Sequence, residues 1–234
     1  MENKLIKDTA IRWHTFTDPD AVAVETAQRI LKSASRAIAE RGLFRIVLAG
    51  GRTPEAAYRL LIDADTDWSC WQIYFGDERC LPVDDAERNS HMVSRVLLDA
   101  VAIPAANMHP IPAEQGAETA AEEYETVIKD AMPFDLVLLG IGEDGHTASL
   151  FPGQQHPADQ LVHPVHDAPK PPADRVSLSV YALSEAREVL VLATGAGKRD
   201  AIQAWQTGKP VPIAEIGGPA TVDVLMDKAA IPAA

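Results

Sequence analysis

Cysteine is scarce: Cys70 and Cys80 are the only two in 234 residues, and they form no C-x-x-C motif. Their spacing suggests unpaired thiols, and a reducing cytoplasm is the simplest home for such a chain. Long apolar runs are missing too. Stretches such as 136–139 and 189–193 are far too short to span a bilayer. The opening MENKLIKDTA lacks the apolar core of a signal peptide, and its acidic residues come too early for a transit peptide. Positive charge is outnumbered, with 21 basic against 34 acidic residues and a formal charge of −13. That balance argues against nucleic acid or an anionic membrane as the main partner. It leaves a small anion open, because a few local cations override the global field. No internal repeat and no low-complexity tract occurs. What is present is ordinary globular composition, 47% hydrophobic and 24% charged, at a length that suits one generous domain or two small ones.

Glycine and proline punctuate alternating segments. Strands are predicted at 11–16, 43–49, 71–75, 134–139, 176–180, 189–193 and 222–226, the last closing the sheet. Asp18-Pro19 reads as an N-cap with proline in the first turn. The following residues to Arg41 space Val22, Ala23, Ala27, Ile30, Leu31, Ala34 and Ile38 on one helical face, and Gly42 stops the helix. Further helices are expected at 54–62, 89–100, 115–130 and 197–206. Residues 153–174 carry Pro157, Pro164, Pro169, Pro171 and Pro172 and read as a loop. Apolar strands alternating with amphipathic helices predict one α/β domain over 1–234, with a mostly parallel sheet and helices on both faces. In such sheets ligands bind beyond the carboxyl ends of the strands.

Three strands run into glycine or charged turns of that kind. Gly50-Gly51-Arg52-Thr53-Pro54 reads either as an anion site at a helix start or as a plain turn with Thr53 as N-cap. Gly76-Asp77-Glu78-Arg79, taken as a bare motif, reads as a solvated, ion-paired turn. Gly140, Gly142 and Gly145 match the dinucleotide fingerprint in spacing. Glu143 and Asp144 oppose that match, since a pyrophosphate needs neutral backbone there, and the helix expected next is cut short by Pro152-Gly153. The same loop serves either as a catalytic one, with Asp144 orienting His146 as acid or base, or as a capped turn with His146 packed. Gly195-Ala196-Gly197-Lys198 fails the P-loop pattern, and offers Lys198 either to a phosphate or to solvent. His156, His163 and His166 lie in the proline-rich loop without cysteine or a helical H-E-x-x-H, which favours a surface loop over a metal site.

Taken in order, these segments resemble the 6-phosphogluconolactonase family over nearly the whole chain. The likeness rests on the glycine turn at 50–54, Gly76 to Arg79 with Asn89-Ser90, and the run G-I-G-E-D-G-H-T-A-S-L-F-P at 140–152. Residues 171–179 and 195–198 continue it, and D-G-H-T-A-S-L-F-P is its most specific part. The resemblance implies a modified Rossmann-like fold similar to that of glucosamine-6-phosphate deaminase. It implies hydrolysis of 6-phosphoglucono-1,5-lactone to 6-phosphogluconate, with no metal or organic cofactor. His146 takes the place of the general base and Asp144 that of its carboxylate neighbour. Substrate and phosphate would draw on Gly50, Gly51, Arg52, Thr53, Asp77, Arg79, Asn89, Arg175 and Lys198. Arg52 stands where serine is expected in many relatives. The implied partner is a small phosphorylated sugar lactone, bound by a monomer or small homo-oligomer. No G-x-S-x-G elbow occurs, which fits direct attack by water. Two rivals remain. An amino-sugar phosphate deaminase would follow the histidine with I-A-F-N-E-P, whereas Thr147 to Pro152 lack that glutamate. A non-catalytic sugar-phosphate sensor would carry a DNA-binding extension, and about ten residues precede the first strand.

Overall fold

The computed structural model describes residues 10–217 and 221–232; the reading of the first nine residues as no leader lies outside them. Fifteen strands and helices follow in chain order among the described residues: β1 Ile11–Phe16, α1 Pro19–Arg41, β2 Phe44–Leu48, α2 Arg52–Arg59, β3 Trp71–Phe75, β4 Asp77–Arg79, α3 Asn89–Val96, α4 Ala117–Ala131, β5 Phe134–Gly140, β6 Val162–Val165, β7 Arg175–Leu178, α5 Val180–Ser184, β8 Ala186–Ala193, α6 Arg199–Gln206 and β9 Val222–Asp227. None of the helices is long and apolar enough to cross a membrane.

The central sheet is six-stranded, in the order β1-β9-β8-β5-β2-β3, and every pairing in it is parallel. β5 lies between β8 and β2, and its Phe134 and Leu136 to Leu139 are all buried. A strand covered on both faces needs such an unbroken apolar run. α1 starts as its sequence dictates: the Asp18 carboxylate accepts from Ala21 N at 2.9 Å, and Pro19 occupies the first turn. Its buried stripe is small-residue rich, with Ala23, Ala27, Ala34 and Ala37 beside Val22 and Ile30, which brings the helix close to the sheet.

Five expectations are corrected here. β9 does not close an edge; it pairs with β1 on one side and β8 on the other. Residues 175–178 do not join the main sheet but form a second, antiparallel sheet of order β4-β7-β6, after which Ser179 caps the short α5. The predicted loop 153–174 contains β6, whose Pro164 is tolerated because β6 is an edge strand, paired among the described residues with β7 alone. Asp77 to Arg79 are likewise no solvated turn: they form β4, and Glu78 is wholly buried. The helix expected over 89–100 ends at Val96, where Leu97 leaves helical geometry at φ −143°.

Two buried tyrosines tie helices to the strand ends that matter. The Tyr58 hydroxyl of α2 donates to Ala49 O at 2.9 Å and accepts from Ala49 N at 3.0 Å, just beyond β2. The Tyr124 hydroxyl of α4 accepts from Phe75 N at 2.9 Å and donates to His109 O at 3.1 Å, at the end of β3. Each ring also removes a large apolar surface from water, worth about 1.5–3 kcal/mol for a side chain of this size. The carboxyl ends of β2 and β3 are thus cross-braced from the helices.

Candidate active site

Beyond that edge lies a cleft of about 820 Å³. Every sequence-predicted site residue except Asp144 lines it: Gly50, Gly51, Arg52 and Thr53 after β2; Asp77 and Arg79 on β4; Asn89 at the start of α3; His146 after β5; Arg175 on β7; and Lys198 after β8. Lys170, Phe151, Thr194 and Glu143 line it as well, though none of them was among the predicted site residues.

Local chemistry explains each wall. The first turn of α2 has no capping side chain, and Pro54 brings no N–H of its own, so amides at this helix start have no internal acceptor. Such an end attracts anions. Thr53 Oγ1 lies 2.6 Å from Thr194 Oγ1, which joins this turn to the loop after β8. That loop is pinned from the last strand: Asp227 Oδ1 accepts from Gly195 N at 3.0 Å. Under the opposite wall, Asp77 is spent on structure, accepting from Asn89 Nδ2 at 3.0 Å and from Ser149 Oγ at 2.6 Å. Gly50 is required by this packing, since a Cβ there would stand 1.9 Å from Asn89 Oδ1.

Asp144 stands behind His146. Its Oδ1 lies 2.5 Å from His146 Nδ1 and also accepts from His146 N at 3.2 Å. Partial burial works against the Asp144 charge, but these hydrogen bonds outweigh it and hold the carboxyl below its ordinary value. A carboxylate only accepts, so Nδ1 carries the proton and Nε2 the lone pair. The ring packs 4.8 Å from Phe151. Gly142 makes room for it: a Cβ there would come within 2.0 Å of His146 Nδ1. No helix follows the histidine; Thr147 bridges Leu150, and Ala148 takes φ 48°. Glu143 points elsewhere, toward Gly197 and the Lys198 side of the cleft.

The electrostatics are lopsided. Arg52, Arg79, Lys170, Arg175 and Lys198 make no ion pair among the described residues, whereas Arg12, Arg29, Arg41, Arg59 and Arg88 all do. Burial holds the Arg175 guanidinium below its ordinary pKa, and burial with repulsion from Lys170 and Arg52 does the same to Lys198 against the pull of Glu143. Arg79 and Arg175 even face each other across the β4–β7 pair, a like-charge pairing that costs energy until an anion relieves it. The three histidines of the proline-rich segment do not converge. His156 Nδ1 meets His163 Nε2 at 3.2 Å, while His166 turns to Asp174 at 2.7 Å. Both cysteines are free thiols.

Known proteins match this chain in sequence and in fold. The family model described as "Glucosamine-6-phosphate isomerases/6-phosphogluconolactonase" matches residues 17–225. The chain is 38% identical to the 6-phosphogluconolactonase of Mycobacterium tuberculosis over 205 residues, 81% of this chain and 83% of the relative. The crystal structure of the 6-phosphogluconolactonase from Thermotoga maritima superposes with a TM-score of 0.87 at 29% identity, covering 93% of this chain and all of that one (100%). A monomeric glucosamine-6-phosphate deaminase shares the fold, with a TM-score of 0.82 at 19% identity over 94% of this chain and 98% of that one. The chain belongs to the glucosamine-6-phosphate isomerase/6-phosphogluconolactonase family.

Proposed function

We propose that this enzyme hydrolyses 6-phospho-D-glucono-1,5-lactone to 6-phospho-D-gluconate, the second step of the oxidative pentose phosphate pathway. The observation that carries the reading is His146, held through Nδ1 by Asp144 with Nε2 unpartnered among the described residues, beside a cleft lined by unpaired cations. A lactone is an activated ester, so a water that gives its proton to Nε2 attacks C1 without a covalent nucleophile. The C1–O bond to the attacking water forms, and the bond from C1 to the ring oxygen breaks. The imidazolium, stabilised by Asp144, returns the proton to the departing ring oxygen. The phosphate is read as binding among Gly51, Thr53, Arg79 and Lys198. Water activation in this reading needs no metal.

Proton release from the lactone, corrected for spontaneous hydrolysis, tests this directly. His146→Ala is expected to lower kcat by about 10²–10⁴-fold, the usual contribution of a general base, with KM little changed. Wild-type turnover in that variant would remove His146 from the chemistry. Ammonia released from glucosamine 6-phosphate by the wild-type protein would favour the deaminase reading instead.

A further inference from the structure

Lys170 lies outside the sequence-predicted set, yet it lines the cleft with no carboxylate partner among the described residues. It stands at the head of a strap, residues 170–172, that leads toward β7. The strap belongs to no strand or helix. Arg175 braces it: Nη2 donates to Lys170 O at 3.0 Å and to Pro171 O at 3.4 Å, and Nε donates to Pro172 O at 3.2 Å. Arg175 as a whole is only 7% exposed, and its guanidinium sits 5.5 Å from the centre of the Phe151 ring. Phe151 in turn packs on His146. Arg175 therefore spends both its Nε and one terminal nitrogen on main-chain carbonyls, while Lys170 beside it is exposed and uncommitted.

We infer that Lys170 is a binding residue for the substrate's phosphate, and that Arg175 is a positioning residue holding the strap so that Lys170 reaches into the cleft. This rests on the lactonase reading above. The division of labour follows from the two side chains. A planar five-donor fork suits several fixed carbonyls, and a compact ammonium on a flexible stem suits a phosphate that arrives and leaves. Lys170 also shares the cleft with Lys198 and Arg52, near enough for their charges to repel. A dianionic phosphate among them turns that repulsion into attraction.

The test compares kinetics on 6-phosphoglucono-1,5-lactone and on unphosphorylated glucono-1,5-lactone. Lys170→Ala is expected to raise KM for the phosphorylated lactone about 10–100-fold, the worth of one charge-assisted hydrogen bond. Its kcat should stay near wild type, the unphosphorylated lactone should be unaffected, and Lys170→Arg should recover most of the loss. Arg175→Lys keeps the charge and loses the fork, so it should reproduce the Lys170→Ala pattern and add nothing in the Lys170→Ala background. Equal losses on both lactones, or none, would overturn the role of Lys170. Multiplying losses in the double variant, or a wild-type KM in Arg175→Lys, would overturn that of Arg175. If the wild-type protein hydrolyses neither lactone, the lactonase reading fails on its own. Calorimetric titration of wild type and Lys170→Ala with 6-phosphogluconate then still decides whether Lys170 binds the phosphate.

Discussion

Gly142 sits where a side chain and the His146 ring would compete for one volume. Gly142→Ala is therefore expected to push the imidazole off Asp144 and lower kcat by at least tenfold while the melting temperature moves little. Rate and thermal unfolding measured on the same sample check both halves of that expectation. The Asp144–His146 pair was legible in the sequence because its partners lie two residues apart on one turn, a geometry that short-range chain stiffness nearly dictates. Lys170 was not. Nothing in a proline-rich run says which member faces a cleft, since that depends on Arg175 crossing under the strap. Asp77 was legible as a site residue but not as a scaffold, because its partner Ser149 lies 72 residues away.

The short strand β4 shows why elements of mixed charge mislead. Glu78 is wholly buried, yet its carboxylate accepts from Asn89 N, Ser90 N and Ser90 Oγ at 2.7–2.8 Å, and so caps α3 from another element. Arg88 lies alongside, its Nε 3.5 Å from Glu78 Oε2. In sequence such a triplet reads as surface, since a buried carboxylate is affordable only with long-range donors that local patterning does not reveal. Glu78→Ala leaves those amides and a buried guanidinium short of partners. A loss of about 3–5 kcal/mol is expected, readable as a lower denaturation midpoint at unchanged m-value. A loss below 1 kcal/mol would mean that water replaces the carboxylate. The parallel strands β2, β3, β5 and β8 were legible for the opposite reason: each holds at least three consecutive apolar residues toward its carboxyl end, before a glycine or charged turn. β6 escaped notice because its proline is permitted only by its edge position.

At the scale of the whole molecule, pH should act through a group that does not line the cleft. His163 is buried on β6, and burial together with the neighbouring His156 pushes its pKa down to about 4 from 6.5. His156 Nε2 donates to Phe151 O at 3.2 Å, which leaves its Nδ1 to accept from His163 Nε2. Between about pH 6.5 and 4 the unfolded chain binds a proton here that the folded one refuses, so stability falls as pH falls across that window. Asp144, whose carboxyl is depressed, adds to the acid loss at lower pH. His163→Gln removes only the first effect, and the drop in melting temperature from pH 7 to pH 4.5 should be smaller in that variant. An equal drop would locate the acid sensitivity elsewhere. The charge of −13 and the five cations of the cleft, unpaired among the described residues, are two aspects of one distribution: an acidic balance that disfavours polyanions, and one basic pocket of the kind the proposed phosphate requires. The order of strands has a consequence in time as well as in space. Among the described residues β1 has β9 as its sole neighbour in the sheet, and the two begin at Ile11 and Val222. A ribosome adding about 5–20 residues per second needs about 10–40 s to cover that interval. Throughout it β1 is a bare edge, and the loop carrying Lys198 lacks the Asp227 that pins it. A nascent chain therefore completes the bracing of its cleft only once β9 has been made, long after the strands that carry most of the lining.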